Sequence, residues 1–276
     1  MKILVIGASG MLAKPVVKKL DEAGFEIRLF SRTVNSSMYE KDYEIVNGDV
    51  FVKPDLERAM DGCDAMYITL SKLDESAAVK SILEAAKKRQ IKVIGLVSGA
   101  SVSEKNRWFW MIDNKFQAEQ AIINSGIPYI IFRPTWFMES LSLMVRDGRA
   151  MLIGKQPNPS RWLAADDFGR MVATAFQKTK AQNKIFYCYG PEKFLMKDIL
   201  TKYCVELRPE VKKVSSLPIG LMKFIAFLTG KKELKMAISM FAYFEKAGEI
   251  TNNSETDEIL GKPEIAFDQW IKTRKK

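Results

Sequence analysis

Five short apolar runs, each rich in Ile, Val or aromatic residues, set the rhythm of the first half of the chain: KILVI (2–6), FEIRLF (25–30), DAMYIT (64–69), IKVIGLVS (91–98) and PYIIFR (128–133). Runs of this length and composition read as buried strands, and helix-patterned stretches such as 74–90 and 114–124 lie between them. Parallel strands need long crossovers, and helices that serve as crossovers cover both faces of the sheet. The alternation therefore predicts an α/β fold with a doubly wound parallel sheet. After about residue 140 the rhythm loosens. GRAMLIG (148–154) and KIFYCYG (184–190) read as strands, DDFGRMVATAFQK (166–178) as an amphipathic helix, and from 195 onward the pattern is mainly helical, with a Met- and Phe-rich stretch at 235–246.

The first strand runs straight into IGASGMLA (6–13), which sets Gly7, Gly10 and Ala13 at G-x-x-G-x-x-A spacing. Glycine at 7 permits a tight turn, glycine at 10 lets backbone approach a pyrophosphate, and the following helix N-terminus favours that anion. The small Ala13 allows close helix-to-strand packing. Pro15 falls near the start of that helix, where an interior proline would cost about 3 kcal/mol, so a bend is expected there. The second strand ends in FSRT, with no acidic residue between Glu26 and Glu40 to hold a free ribose 2′-hydroxyl. Arg32 suits a 2′-phosphate instead, which favours NADP(H) over NAD(H). These features predict a Rossmann-type domain over 1–153, to which the strand near 184–190 returns. A smaller, mainly helical C-terminal lobe over 154–276 is expected to be interleaved with it, packed over the sheet edge, and to take the substrate.

Composition removes several chemistries. The 276 residues contain no histidine, so a His-dependent triad is excluded, and Ser98 and Ser101 of SGAS have no base to activate them. Three cysteines, Cys63, Cys188 and Cys204, lack any CxxC spacing, which argues against a disulfide framework or a metal site and for a reducing, cytoplasmic setting. No signal peptide is expected from MKILVIGASG. The longest apolar block, LPIGLMKFIAFLTG (217–230), contains Lys223 and falls short of the roughly 20 residues that span a bilayer. No membrane span is expected, and this block reads as a buried or lid helix. The net charge of +10 and the terminal TRKK fit a solvated basic surface better than nucleic-acid binding. Asp166 and Asp167 precede a helix and read as its N-terminal cap, not as a catalytic carboxylate pair.

The glycine loop GASGMLA, the SRT after the second strand, NGDV (47–50) and above all KFQAEQAIINSGIPYIIFRPTWFMES (115–140) resemble the NmrA-like atypical short-chain dehydrogenase/reductases. DDFGRMVATAF and YGPE resemble that family's pattern as well, and the likeness covers most of residues 1–195. The resemblance implies a set of roles. Ser9, Met11 and Leu12 would flank the pyrophosphate beside Gly7 and Gly10, Arg32 would take the 2′-phosphate, and Asp49 with Val50 would meet the adenine. Thr69, Leu70 and Ser71 would border the nicotinamide ribose. Ser98 and Lys115 would face the nicotinamide side, and the loop from Pro134 through Trp136 to Phe137 would close over it.

Other members of the wider superfamily carry Tyr-x-x-x-Lys, whose tyrosine passes the proton while the lysine lowers its pKa and holds the ribose. Here the tyrosine position is Met111, which transfers no proton, and Lys115 stands without its usual partner. Otherwise Lys115 is a surface lysine paired with Glu119 one turn on, worth a few tenths of a kcal/mol. Trp108, Phe109, Trp110, Trp136, Phe137 and Met138 include packing residues, yet two aromatic segments near the nicotinamide end would suit a flat, apolar acceptor. The expectation is an NADPH-dependent reductase of a small aromatic, quinone-like or conjugated carbonyl compound. Two readings stand beside it: a non-catalytic NADP(H)-sensing regulator, and a sugar-nucleotide epimerase, against which Met111 speaks. A small-molecule substrate is the expected partner, with a homodimer or protein partner left open.

Overall fold

The computed structural model describes residues 1–70, 74–249 and 254–275. In chain order the first elements are β1 (Lys2–Ile6), α1 (Ala13–Glu22), β2 (Glu26–Ser31), β3 (Glu44–Asn47), α2 (Lys53–Met60), β4 (Ala65–Ile68), α3 (Glu75–Ala86), β5 (Val93–Val97), α4 (Trp110–Ile123) and β6 (Tyr129–Pro134). Then come β7 (Val145–Arg146), β8 (Arg149–Ile153), β9 (Ser160–Arg161), α5 (Ala165–Gln177), β10 (Lys184–Cys188) and β11 (Lys193–Phe194). The last are α6 (Met196–Leu207), β12 (Val214–Leu217), α7 (Ile219–Thr229), α8 (Lys232–Phe244), α9 (Ser254–Leu260) and α10 (Phe267–Arg274).

Seven strands form one parallel sheet in the order β10-β6-β5-β4-β1-β2-β3. The strand order reverses between β1 and β4, which is the switch point of a Rossmann-type sheet and the place where such sheets bind ligands. Ile3, Leu4, Val5 and Ile6 of β1 are fully buried, as a strand covered on both faces requires. Against one face pack Leu56, Val79, Ile82, Ala118 and Ile122 from α2, α3 and α4. β3 is the strand whose apolar pattern was too weak to single out: Ile45 and Val46 are only partly buried, and Glu44 and Asn47 are exposed. Its Glu44 is held by Lys2 at 2.6 Å and Arg28 at 2.7 Å from the neighbouring strands.

Contacts divide the chain into two compact units, one of Met1–Pro134, Ala165–Cys188 and Thr251–Lys262, the other of Thr135–Ala164, Tyr189–Ile250 and Pro263–Lys276. In place of a break after residue 153, the first break falls at Pro134, because β8 pairs with β7 and β12 and not with the parallel sheet. Within the first unit α5 lies on α1. A side-chain carbon at Gly169 would sit 2.7 Å from the Pro15 carbonyl oxygen, so only glycine permits this approach. Pro15 is the third residue of α1, inside the first turn, where amides have no intrahelical acceptor. The proline thus forfeits no helix hydrogen bond, and the expected cost does not arise. Asp166 and Asp167 occupy the first turn of α5, and buried Asp167 lies 3.2 Å from Arg170.

The second unit has its own core, built from Trp162, Ile199, Leu200, Phe241, Phe267 and Trp270 among others. The block at 217–230 does form a helix, α7, but it is not buried. Met222 and Ala226 face the core, whereas Phe224, Phe227 and Leu228 are exposed. Helix α8 covers most of 235–246 and buries Ile238, Phe241 and Tyr243, as an ordinary amphipathic helix does. Among the described residues, no helix is long and apolar enough to cross a membrane.

Candidate functional site

The loop between β1 and α1 is pinned from three sides. The Gly7 and Ala8 amides donate to the Phe30 carbonyl at 2.9 and 3.2 Å, Gly10 donates back to Gly7, and the Tyr39 hydroxyl donates to the Ala8 carbonyl at 2.5 Å. Gly7 has φ +90°, and a side-chain carbon there would lie 2.1 Å from the Thr69 carbonyl oxygen at the end of β4. Both facts demand glycine. Among the described residues, the amides of Ser9, Met11 and Leu12 have no internal acceptor. Three free N–H groups leading into a helix start make a concave anion site, and unpaired backbone donors are otherwise rare.

A groove of about 540 Å³ opens over this loop, at the carboxyl ends of β1, β2 and β4. Its walls bring together eight of the residues singled out in the sequence: Gly7, Ser9, Gly10, Arg32, Asp49, Val50, Thr69 and Leu70. Arg32 is more than half exposed, and its guanidinium stands 3.8 Å from the Asp49 carboxylate, a weak surface pairing that leaves most of its donors free. Asp49 is fixed by its neighbours, with its amide on the Asp55 carboxylate at 3.0 Å and its own carboxylate accepting the Phe51 amide. Unpaired amides and an exposed guanidinium are the kinds of donor that a pyrophosphate and a phosphate require. Met11 and Leu12 are not among the residues that line the groove. Ser71 lies outside the described residues.

Phe30, Ser31, Thr33, Gly48, Phe51, Asp74, Glu75 and Ala78 also line the groove. Ser31, Thr33 and Gly48 stand in the SRT and NGDV motifs without an assigned role, sequence reasoning gave the others no place in the site, and Glu75 is the instructive case. It opens α3, where an acidic residue reads as an ordinary complement to the helix dipole. Yet it is buried, its Oε2 accepts a hydrogen bond from Lys115 Nζ at 2.7 Å, and its Oε1 has no partner among the described residues. Burial pushes its carboxyl above the usual carboxylate range, and the Lys115 ammonium pulls it back. The next-door Asn114 accepts the Ser76 amide at 2.6 Å. Two successive residues of α4 thus hold the start of α3 at the groove wall, and Lys115 stands one residue removed from the groove itself.

Lys115 is therefore not paired with Glu119. The latter is fully buried, accepts from Arg133 Nε at 3.0 Å and Nη2 at 2.5 Å, and takes the Ser98 hydroxyl as well. Arg133 also donates to the Tyr187 hydroxyl at 2.7 Å. The Glu-containing helix and the FRP strand that carried the family likeness are joined by this fork, which serves the fold. Ser98 spends its hydroxyl there, and buried Pro134 gives its carbonyl to the Ala100 amide at 2.9 Å. Met111 lies partly buried in the first turn of α4, where Trp108 and Trp110 are exposed and Phe109 is buried.

Residues 7–174 match the family described as NAD(P)H-binding, which is more than half of the chain. The chain belongs to the NAD(P)H-binding family. Among curated relatives of this NAD(P)H-binding protein is the Photosystem II assembly factor Ycf39 of Trieres chinensis, 22% identical over 275 residues, covering 94% of this chain and 82% of that one. Among solved structures, the NADPH-dependent quinone oxidoreductase QOR2 of Escherichia coli complexed with NADPH superposes with a TM-score of 0.78 at 17% identity, covering 100% of both chains. A nucleoside-diphosphate-sugar epimerase from Staphylococcus aureus reaches the same TM-score at 16% identity, covering 98% of this chain and 99% of its own. At such identities the solved structures establish the shared fold.

The remaining residues singled out in this NAD(P)H-binding chain, Trp136 and Phe137, belong to the second unit. Trp136 lies against Trp162, Phe241 and Phe244 with ring centroids 5.8, 6.2 and 4.9 Å away, and Phe137 is buried. Glu249 closes this neighbourhood, accepting the Arg161 amide at 3.2 Å. Burial pushes its carboxyl up to about 7, against the lowering effect of Arg161 and Ser160. Because the folded state favours the protonated acid, the stability this group confers is complete below its unfolded pKa of about 4.3 and is lost as pH rises through about 7. Glu249→Gln, which stays neutral, is expected to melt higher than the wild type at pH 8 and to match it at pH 4.5. Thermal unfolding across that range checks this, and a pH-independent difference would refute it.

Proposed function

We propose that this chain is an NADPH-dependent reductase of the NmrA-like group, delivering hydride to a small aromatic, quinone-like or conjugated carbonyl acceptor. The observation that supports the reading is that the glycine loop and Arg32 line one groove, that the Ser9, Met11 and Leu12 amides have no internal acceptor among the described residues, and that Asp49, the acid beside Arg32, faces Arg32 itself. A bound nicotinamide would supply a hydride. The chain's part is binding, orientation and charge. The Ser9, Met11 and Leu12 amides hold the pyrophosphate, Arg32 grips the 2′-phosphate, and Asp49, Val50, Thr69 and Leu70 shape the walls. Lys115, steered by Glu75, places a positive charge near the reacting end and can release a proton from Nζ.

Met111 cannot accept a proton from an alcohol, which weighs against alcohol oxidation and sugar epimerisation. Quinones and conjugated carbonyls need no such base, since hydride addition is completed by a proton from Lys115 or solvent. The similarity to an assembly factor over 94% of the chain supports a second reading, in which NADP(H) is sensed without turnover.

NADPH oxidation is expected with at least one member of a panel of quinones and enals, and Arg32→Ala should weaken NADPH about tenfold while leaving NADH nearly unchanged. Binding titrations and steady-state rates check both. Equal losses for the two coenzymes would overturn the 2′-phosphate assignment, and tight NADPH binding with silence across the panel would favour the sensing reading.

A further inference from the structure

We propose that the outward face of α7 is a docking surface for an anionic lipid bilayer. Helix α7 is apolar nearly all round, a composition that normally marks a helix buried on every side. Here only one side is used. Ile219, Met222, Ile225 and Ala226 pack into the core of the second unit. The other side presents Leu221 (46% exposed), Phe224 (59%), Phe227 (76%) and Leu228 (66%), which helical spacing places on one contiguous face. Isolated exposed apolar residues are ordinary, whereas four on adjoining turns, two of them aromatic, mark an interaction site.

Charge selects the occupant. Between residues 211 and 244 the sequence holds six lysines and a single acid, Glu233. Lys223 lies on α7, and Lys231, Lys232 and Lys235 follow directly at the turn into α8; all four are exposed, and among the described residues none forms an ion pair. A second copy of the chain would meet this face with the same face, setting lysines against lysines. A folded protein partner would need a concave apolar trough rimmed by acids to receive a convex helix. An anionic bilayer needs no shape match: phenyl and leucyl side chains enter the headgroup boundary while lysines stay among phosphates.

The test uses the full-length protein and vesicles of phosphatidylcholine alone or mixed with phosphatidylglycerol. Sedimentation with the mixed vesicles is expected, with weak binding to phosphatidylcholine alone and release as salt is raised. Phe224→Ser with Phe227→Ser should weaken partition at least tenfold. Lys231→Gln and Lys232→Gln should each weaken it about fivefold at low salt. Because these side chains point outward, melting temperature and NADPH affinity should not change, so the outcome is separable from the coenzyme assignment. Failure to bind mixed vesicles, or equal binding by the serine variant, would overturn the proposal. So would light scattering that shows a dimer dissolved by the serine substitutions, which would give the face to a second copy.

Discussion

Gly7→Val is expected to weaken NADPH binding at least a hundredfold. Two independent constraints act at this residue. Its φ of +90° is strained for any side chain and worst for a β-branched one, at about 1–2 kcal/mol for the backbone alone. In addition, the new Cβ would stand 2.1 Å from the Thr69 carbonyl oxygen, a separation that real contacts do not reach, so either the loop or the end of β4 must move. Moving the loop redirects the free amides of Ser9, Met11 and Leu12, whose convergence is the basis of the anion site. Fluorescence titration with NADPH, together with circular dichroism to show that the variant is folded, checks the expectation. Unchanged affinity in a folded variant would remove this groove as the coenzyme site.

Arg133→Met is expected to have the largest effect on stability, a loss of about 3–5 kcal/mol, because it leaves the fully buried Glu119 carboxylate without its two-pronged partner. The Ser98 hydroxyl cannot compensate a whole charge. For a chain of this size the loss corresponds to a melting temperature lower by on the order of 10 °C. The decisive comparison is the double variant Glu119→Leu/Arg133→Met, which removes both charges and should recover most of the loss, since apolar replacement of a buried pair is often neutral. Calorimetric melts of the three proteins test the account. A single variant that costs under about 1 kcal/mol would mean that Glu119 finds water or another partner.

Legibility in the sequence followed the range of the interactions involved. The strands were readable where local composition decides: KILVI is β1 to the residue, and PYIIFR and KIFYCYG differ from β6 and β10 only at their ends. β3 was not, because its EIVN is short, half-exposed and held by Lys2 and Arg28, charges that lie on β1 and β2 and far off in sequence. The loop of Gly7, Ser9 and Gly10 was legible because backbone geometry and residue type are locked together there. Lys115 and Glu119 show the opposite. Their helical spacing suggested each other as partners, yet Lys115 takes Glu75, forty positions back, and Glu119 takes Arg133 on the adjoining strand. Long-range pairing of this kind leaves no periodic trace. Helix α7 was legible as a helix, and of its two readings, buried or lid, the buried one fails for a related reason: apolarity fixes that a face wants cover, but not whether the same chain provides it.

The position of β10 bears on how the molecule is made. Its partner β6 ends at Pro134, and β10 begins only at Lys184, after a stretch made of Thr135–Ala164 of the other unit and then helix α5. A ribosome therefore releases six strands of the sheet before the seventh exists. For the time it takes to synthesise that stretch, β6 offers bare amide and carbonyl groups on its outer margin, the kind of template on which nascent chains join one another. Closure of the sheet waits until β10 has emerged, which makes this margin the point at which a chaperone would most usefully shield the newborn polypeptide.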